Sequence, residues 1–322
     1  MRNITRIAAA ALALLAIPAL SSMTWAQDRK VYMSWAPKKI TPYAGPNKPV
    51  TRLPEVLAKH KGQASWKEDV VKTDRYHAQW IQMAPGEKTR TILYVDDRTV
   101  WIVWGGQVRF TIKGQAPFIA TKGFLVQTPL RMPYSLEAVG NEPALFFEVR
   151  RNDTLPSYVF NEGEPVPATV GNQRYEKVSY PPSLRAGGNV PYDEINKPYL
   201  DYFKDVIAKY STGGTDWPRY FVSDKENQVA IIRGMGVPTP PDTNRGHFHV
   251  GTDEFWFVPE GKIDYLIEGV GLLTANAGDL VYVTPGRFHR ASFAPGQMDT
   301  RLAFNRSPTM VHNFAEDANG RQ

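Results

Sequence analysis

The sequence lacks cysteine altogether. Disulfide bonds, thiolate metal sites and a cysteine nucleophile are therefore excluded. It also lacks an apolar run of the roughly 20 residues that a membrane-spanning helix requires. The run at residues 7–20 has only 14 residues and is interrupted by Pro18. We therefore expect no membrane span in the mature chain.

This short apolar run has the flanks of a secretory signal peptide. Arg2 and Arg6 precede it, and Thr24 and Ala26 stand where a cut after Ala26 requires small residues. The two arginines are not adjacent, which favours Sec-type export of the unfolded chain over twin-arginine export. We predict that residues 1–26 are removed and that the mature protein is periplasmic or secreted.

Neither sign of charge dominates the chain. Removing residues 1–26 leaves 36 basic and 32 acidic side chains, a net charge of +4, and the basic residues are interspersed with acids. A basic stripe of the kind that binds nucleic acid is absent from this pattern, so we expect no nucleic-acid partner. A small anionic molecule remains open as a partner, and so does a second copy of the chain.

Turn-forming residues are abundant, with 25 Gly and 26 Pro, and short β-rich runs lie between them. This pattern predicts an all-β sandwich or barrel. Two stretches also repeat, because residues 100–106 overlay residues 255–261 at an offset of 155 and Gly123 overlays Gly278 at the same offset. A constant offset across separate landmarks indicates a duplicated unit; shared strand-turn chemistry in unrelated sheets is the alternative.

The irregular middle of the chain contains one predicted helix. A cap at Asn196 and an early proline at Pro198 begin it, apolar residues recur at helical spacing from Leu200 to Tyr210, and Gly213 ends it. The predicted organisation is a signal peptide (1–26), an N-terminal arm (27–75), a first barrel (76–150), a linker with the helix (151–217), a second barrel (218–306) and a C-terminal tail (307–322).

Histidine is scarce, with six in the chain, yet His247, His249 and His289 fall within 43 positions. Residues i and i+2 of a strand point to the same side, so His247 and His249 face one way. Glu254 opens the next β-rich run, and a turn at Gly251 can bring it beside the pair. The remaining histidines have no partner at ligand spacing, and we predict structural or solvent-facing roles for them: His60, His77 and His312.

These residues carry a resemblance to the cupin superfamily. His247-x-His249-x4-Glu254-x6-Gly261 resembles its first motif, and Gly278-x5-Thr284-x-Gly286-x2-His289 resembles its second. The resemblance implies a double-stranded β-helix barrel, jelly-roll-like, in which one divalent metal is held by His247, His249, Glu254 and His289. Three positions depart from the usual motifs, in turns and a neighbouring strand rather than at ligands: Pro241, Thr284 and Phe293.

The first copy of the duplicated unit lacks these ligands. Subtracting the offset from the four ligand positions gives Ile92, Tyr94, Thr99 and Tyr134, none of which is a usual ligand of a divalent ion. We therefore interpret the chain as a bicupin with one metal-binding barrel, one degenerate barrel and a few short helices. Tyr94 and Tyr134 are assigned to packing, with a ligand pocket as the alternative.

Three imidazoles and a carboxylate suit Fe, Mn, Cu, Ni or Zn, and ligand type alone does not choose among them. Four ligands leave a position open for water, O2 or a small-molecule substrate, which is typical of a catalytic site. Strand phase predicts an apolar and aromatic pocket wall. The candidates for the substrate pocket are Trp256, Tyr265, Tyr282, Phe293 and Arg287.

Three functions remain open for such a site. The first is a metal-dependent dioxygenase for a small aromatic or enol-type substrate, which the aromatic wall favours. The second is a non-oxidative lyase, decarboxylase or isomerase that uses the ion as a Lewis acid. The third is a periplasmic protein that binds a metal or small ligand without turnover. The sequence assigns no catalytic residue beyond the metal ligands.

Overall fold

The computed structural model describes residues 38–160, 192–211, 215–236, 246–306 and 310–314, with the short pieces 164–165, 169–170 and 173–174. The predicted signal peptide and most of the C-terminal tail lie outside these residues, as does Pro241. Among the described residues, no helix combines the length and the hydropathy that crossing a membrane requires.

The predicted all-β class is confirmed, since strands make up 47% of the structure and helices 6%. The strands of the first half are β1 (Val50–Thr51), β2 (Trp66–Lys72), β3 (His77–Met83), β4 (Ile92–Tyr94), β5 (Thr99–Gly105), β6 (Gln107–Ile112), β7 (Phe118–Ala120), β8 (Phe124–Thr128), β9 (Tyr134–Val139), β10 (Ala144–Arg150), β11 (Pro156–Tyr158), β12 (Thr169–Val170) and β13 (Gln173–Arg174).

The second half repeats this organisation. Its strands are β14 (Tyr199–Asp201), β15 (Tyr220–Ser223), β16 (Gln228–Gly234), β17 (His247–Phe248), β18 (Glu254–Glu260), β19 (Lys262–Ile267), β20 (Gly271–Asn276), β21 (Leu280–Val283), β22 (His289–Phe293), β23 (Asp299–Asn305) and β24 (Asn313–Phe314).

Each half forms a barrel of two antiparallel sheets. The first barrel has a six-stranded sheet, β14-β8-β5-β10-β3-β2, and a five-stranded sheet, β11-β4-β9-β6-β7. The second barrel has the corresponding sheets β1-β21-β18-β23-β16-β15 and β20-β19-β22-β17-β24. The five-stranded sheets carry alternating buried and less buried residues, as β9 does, because one face packs on the barrel interior and the other faces outward.

The six-stranded sheets are buried on both faces, which explains why their central strands are continuously apolar. In β5, Val100 and Ile102 pack into a core between the barrels, which we call the shared core, while Trp101 fills the interior of the first barrel. In β18, Phe255 likewise enters the shared core and Trp256 the interior of the second barrel. Side-chain alternation along one strand therefore joins two hydrophobic cores.

The duplication extends to strand bounds and register. Strands β5, β6 and β10 match β18, β19 and β23 residue for residue at an offset of 155. The pairing is also equivalent, since Trp101 lies opposite Glu148 as Trp256 lies opposite Ala303. Strands β3 and β16 match at an offset of 151, so the second copy has four extra residues between β16 and the histidine-bearing strand β17.

The barrels exchange their first strands. Strand β1 precedes the first barrel but pairs with β21 of the second, and β14 precedes the second barrel but pairs with β8 of the first. A helix follows each exchanged strand, α1 (Leu53–Lys59) after β1 and a π-helix (Phe203–Ala208) after β14. The predicted helix of the linker thus begins later than expected, because Leu200 pairs with Leu125 at a sheet edge instead.

A glycine at equivalent positions of the two barrels contacts the helix that follows each exchanged strand. Gly123 has φ +97°, and a Cβ built on it would lie 2.6 Å from the Phe203 ring. Gly278 has φ +94°, and its Cβ would lie 2.8 Å from Leu53. Both positions therefore require glycine for the backbone conformation and for close approach. This explains why these two residues marked the repeat in the sequence.

Candidate metal centre

The four predicted ligands come together at one end of the second barrel. His247 on β17 lies directly opposite His289 on β22, and Glu254 is the first residue of β18. His249 follows β17 by one residue. Gly246 permits this approach, since its φ is +78° and a Cβ there would lie 2.2 Å from the Phe288 ring. Local backbone geometry therefore places the histidine strand against β22.

The donor atoms of this four-ligand cluster face a common point. His289 Nε2 lies 3.0 Å from His247 Nε2, and Glu254 Oε2 lies 3.2 Å from His249 Nε2 and 3.4 Å from His289 Nε2. Ligands bonded to one ion at about 2.1 Å stand about 3.0 to 3.4 Å apart at neighbouring coordination positions. All four donor atoms lie within 4.8 Å of one another. The spacing fits a single metal ion.

The histidine ring nitrogens that point away from the cluster make hydrogen bonds that also fit a metal site. His249 Nδ1 donates to the Val311 carbonyl at 2.9 Å, and His289 Nδ1 donates to the Arg287 carbonyl at 3.1 Å. Because a carbonyl only accepts, each Nδ1 carries the proton and the Nε2 lone pair points into the cluster. Lone pairs that converge in this way suit a cation between them.

Burial and mutual contacts set the charge of the cluster. His249, Glu254 and His289 are buried, at 3%, 5% and 2% exposure. Burial, and next the nearby His289 ring, lowers the pKa of His247 to about 2. Burial alone would raise the pKa of Glu254, but its contacts with His249 and His289 outweigh burial and lower it below the usual range. The carboxylate is therefore ionised and His247 neutral, as metal ligation requires.

Two neighbours of the cluster were not found from the sequence. The ring of His312 lies 4.5 Å from that of His247 and 4.8 Å from that of His249, between ring centroids. His312 is exposed, as predicted, and it is not one of the four clustered ligands. The pairing of β24 with β17 nevertheless brings its ring to the rim of the cluster. Asn305, with its amide nitrogen turned toward the cluster, donates to Glu254 Oε1 at 3.2 Å. Neither residue has a motif spacing that could have identified it.

The other two histidines make structural contacts, as predicted. His60 Nε2 lies 3.0 Å from Glu68 and its ring stacks on Trp66. His77 Nε2 lies 2.6 Å from Asp69. Glu68 and Asp69 lie on β2 and His77 on β3, while His60 directly follows α1.

Two of the five pocket candidates stand directly below the cluster. Trp256 is buried, with its ring centroid 5.2 Å from His289 and 5.3 Å from Tyr265. Tyr265 is fully buried, and its hydroxyl has no hydrogen-bond partner. Phe293 also lines this interior, but it lies at the far end of β22 from His289.

The remaining two candidates do not face this interior. Tyr282 packs in the shared core, and its hydroxyl donates to Asp253 at 3.1 Å. It pairs with Phe255 across the sheet and shares that residue's face, which corrects its predicted place in the pocket. Arg287 is held by the carbonyls of Glu268 and Thr41 and lies over the Tyr43 ring. It fixes the loop before His289 and does not reach the pocket.

The barrel topology and the ligand cluster confirm the resemblance to cupins. Two barrels repeat one strand order, and the second contains three histidines and a glutamate at the motif positions. Among the described residues, no other group of three or more His, Asp or Glu is close enough to hold an ion. The architecture is that of a bicupin in which one barrel has a site for a divalent metal.

Comparison with known proteins gave matches to solved structures alone. No protein-family model and no curated protein sequence matches the chain. A tryptophan-to-phenylalanine variant of Bacillus subtilis oxalate decarboxylase matches with 15% identity and a TM-score of 0.46, over 77% of this chain and 74% of that one. A two-residue deletion variant of the same enzyme matches with 16% identity, the same coverage and a TM-score of 0.46.

Proposed function

We propose that the protein is a metal-dependent enzyme that acts on a small organic carboxylate inside the second barrel, by a non-oxidative cleavage such as decarboxylation. One observation carries the proposal: the interior next to the four-ligand cluster contains a buried cation, Arg301, with no ion-pair partner among the described residues. The aromatic surroundings and the position below the cluster support this interior as the substrate site.

Arg301 occupies an unusual environment for a charged side chain. It is 8% exposed, and its guanidinium lies over the Trp256 ring at 5.5 Å from the centroid. Its Nε atom and the Tyr265 hydroxyl are both buried without a hydrogen-bond partner. Burial raises the pKa of Tyr265, and the neighbouring Arg301 acts against that rise, so the two groups face each other. The Arg301 guanidinium has no carboxylate partner among the described residues, and the Tyr265 hydroxyl beside it is free to donate its proton.

Unpaired burial of a charge is strongly unfavourable, and proteins normally pair such a group or hydrogen-bond it. An incoming carboxylate would accept hydrogen bonds from both Arg301 and Tyr265, and charge-assisted bonds of this kind are the stronger class. The same argument excludes a cationic substrate. A small organic anion is therefore the substrate class that this interior fits best.

The roles of the chain's own residues follow from their positions. Arg301 and Tyr265 bind and orient the carboxylate, and Trp256 and Val258 exclude water around it. A bound metal ion would supply Lewis-acid polarisation of a substrate oxygen. Glu254 keeps a negative charge beside the ion. Decarboxylation breaks the bond between the carboxylate carbon and the rest of the substrate, releases CO2 and leaves the electron pair on the remaining fragment, which takes up one proton to give the product.

The aromatic wall supports a second candidate, a dioxygenase for an aromatic or enol substrate. The tilted rings of Trp256, Tyr265 and His289 provide apolar aromatic surface that a planar substrate would contact. The two candidates differ in oxygen stoichiometry. A dioxygenase consumes O2 with each turnover, whereas a non-oxidative cleavage releases CO2 without net oxygen consumption.

The test combines metal-loaded protein with a panel of dicarboxylates, keto acids and aromatic carboxylates, measuring CO2 release and O2 uptake together. We expect CO2 release without matching O2 uptake. Arg301→Met should raise KM by about 10- to 150-fold, because a hydrogen bond to a charged group contributes about 1.5 to 3 kcal/mol, and metal content should be unchanged. Arg290→Met is the matched control, since Arg290 follows His289 on β22 and faces outward. Oxygen uptake equal to turnover would favour the dioxygenase instead.

A further inference from the structure

The first barrel contains a cavity of about 360 Å³ that the metal centre does not use. It lies in the same part of the barrel as the four-ligand cluster of the second, because Tyr94 and Tyr134, the counterparts of His249 and His289, line it. Protein interiors contain few voids larger than one water molecule. A space of this size lies in the range of small-molecule sites.

We propose that this cavity is a second binding site, for a neutral polyhydroxylated molecule of the size of a monosaccharide or cyclitol. The proposal is independent of the metal centre and of the reaction proposed for it. It rests on the charge balance of the cavity, on its unsatisfied hydrogen-bonding groups and on its opening to solvent.

The charges that line the cavity cancel one another. Glu148 at the cavity wall lies 3.6 Å from Arg150, between Oε1 and Nε. Lys67 and Glu87, both exposed, contribute one charge of each sign at the mouth. A preformed ion pair leaves no unpaired charge for an ionic ligand to neutralise. This balance disfavours anions and cations and favours a neutral ligand.

Glu148 and Arg150 can each form further hydrogen bonds in addition to their ion pair. Glu148 accepts one bond on each oxygen, from Gln79 at 2.9 Å and from Trp101 at 2.8 Å, and a carboxylate offers about four lone-pair sites. The buried Nε of Arg150 has no hydrogen-bond partner. Among the described residues, no hydrogen bond is made by the Tyr94 hydroxyl either, and burial raises the pKa of that group so that it stays protonated.

A hydroxyl group matches this set because it both donates and accepts. Adjacent hydroxyls of a polyol can donate to Glu148 while accepting from Arg150 and Tyr94. The apolar part of the wall, formed by Ile81 and Phe146, suits the carbon skeleton of the same molecule. A zwitterion fits less well, since the ion pair would have to separate to meet its two ends.

The cavity is reached from solvent beside β2 and β3. Its floor is formed by buried residues such as Gln79 and Tyr134, while Lys67, Glu87 and Thr89 at the mouth are exposed. A small ligand can therefore enter without opening the shared core. The site lies on the wall of the barrel that the exchanged strand β14 does not cover.

The test is calorimetric titration of the full mature chain with xylose, glucose, glycerol and myo-inositol, with glycine and succinate as zwitterionic and anionic comparisons. We expect at least one polyol to bind, and Tyr94→Phe to weaken it about two- to tenfold, the loss of one neutral hydrogen bond. Tyr94→Phe removes a hydroxyl without a protein partner, so folding is preserved. Tyr199→Phe, outside the cavity on β14, is the matched control and should bind as wild type.

Two further measurements keep the outcome unambiguous. His247→Ala should leave polyol binding unchanged, because the cavity and the metal centre lie in different barrels. Glu148→Gln should weaken binding more than Tyr94→Phe, and thermal melting verifies that this variant is folded. The proposal is overturned if no polyol binds, if only glycine or succinate binds, or if Tyr94→Phe and Tyr199→Phe bind equally well.

Discussion

The two barrels share strand bounds and register, yet the side chains that line their interiors differ in type. The second barrel has three histidines, a glutamate and an unpaired Arg301, whereas the first has tyrosines at two ligand positions and Phe146 in place of Arg301. Glu148, which pairs with Arg150, stands where the second barrel has Ala303. Residues that face the shared core maintain the arrangement of strands in both barrels. Residues that face the two barrel interiors can therefore differ. We therefore expect functional differences between the barrels to arise at the positions that face their interiors.

The largest contrast between the barrels should be metal content. We expect one ion per chain, lost in His247→Ala and retained in Tyr134→Phe, the substitution at the position equivalent to His289. Because an ion that binds only the folded state stabilises it, chelation should lower the melting temperature of wild type and leave that of His247→Ala unchanged. Elemental analysis and calorimetry measure both quantities. Two ions per chain, one of them lost in Tyr134→Phe, would contradict the prediction that only the second barrel binds a metal ion.

Because the shared core contains residues of both barrels, the two barrels should unfold in one transition. Phe257 contacts the rings of Trp80, Trp104 and Phe147 from the first barrel, at centroid distances of 5.9, 5.5 and 5.6 Å. Phe257→Ala should lower the free energy of unfolding by about 3 to 5 kcal/mol, in a single transition. Denaturant unfolding followed by fluorescence and circular dichroism tests this. Separate transitions for the two barrels would show that the core does not couple them.

Substitution by methionine at equivalent interior positions should change stability in opposite directions. Arg301→Met replaces an unpaired buried charge and should raise the free energy of unfolding by about 1 to 4 kcal/mol. Phe146→Met replaces one apolar group by another and should lower it by about 1 kcal/mol. Urea titrations of both variants give the comparison. A loss of stability in Arg301→Met would mean that the guanidinium is paired within the protein.

The smallest expected effect concerns an ion pair between the barrels. Arg98 of the first donates to Asp224 of the second at 2.8 Å. Burial raises the pKa of Asp224, but backbone N–H groups of Glu226 and Asn227 and the charge of Arg98 outweigh it, so the pKa lies below its usual value. The ionised group thus stabilises the fold above about pH 4, and this contribution disappears as the pH falls through the lower folded pKa.

Asp224→Asn should accordingly lower the free energy of unfolding by about 1 kcal/mol at neutral pH. The difference from wild type should shrink as the pH is lowered below about 4. Thermal melts across this pH range provide the measurement. A constant difference at all pH values would assign the effect to hydrogen bonding by the side chain rather than to its charge.

Local spacing predicted the ligands, because His247 and His249 share a strand face and Glu254 and His289 follow at motif distances. The repeat predicted two barrels, because equal strands and turns recur at a constant offset. Long-range pairing was not predictable in the same way. Arg301 and Asn305 lie on β23 and His312 directly precedes β24, and only sheet register places them at the site. Tyr282 was misplaced because its strand face depends on its partner Phe255.

The exchange of first strands affects the order in which the chain can fold during synthesis. Val50 pairs with Val281, so β1 stays without its partner until β21 has been synthesised. Such distant pairings are slow to form. The mutual arrangement is also that of two identical chains that swap an element and are later joined end to end. Either half expressed alone should associate with another copy through the sheet edge that the missing strand would cover.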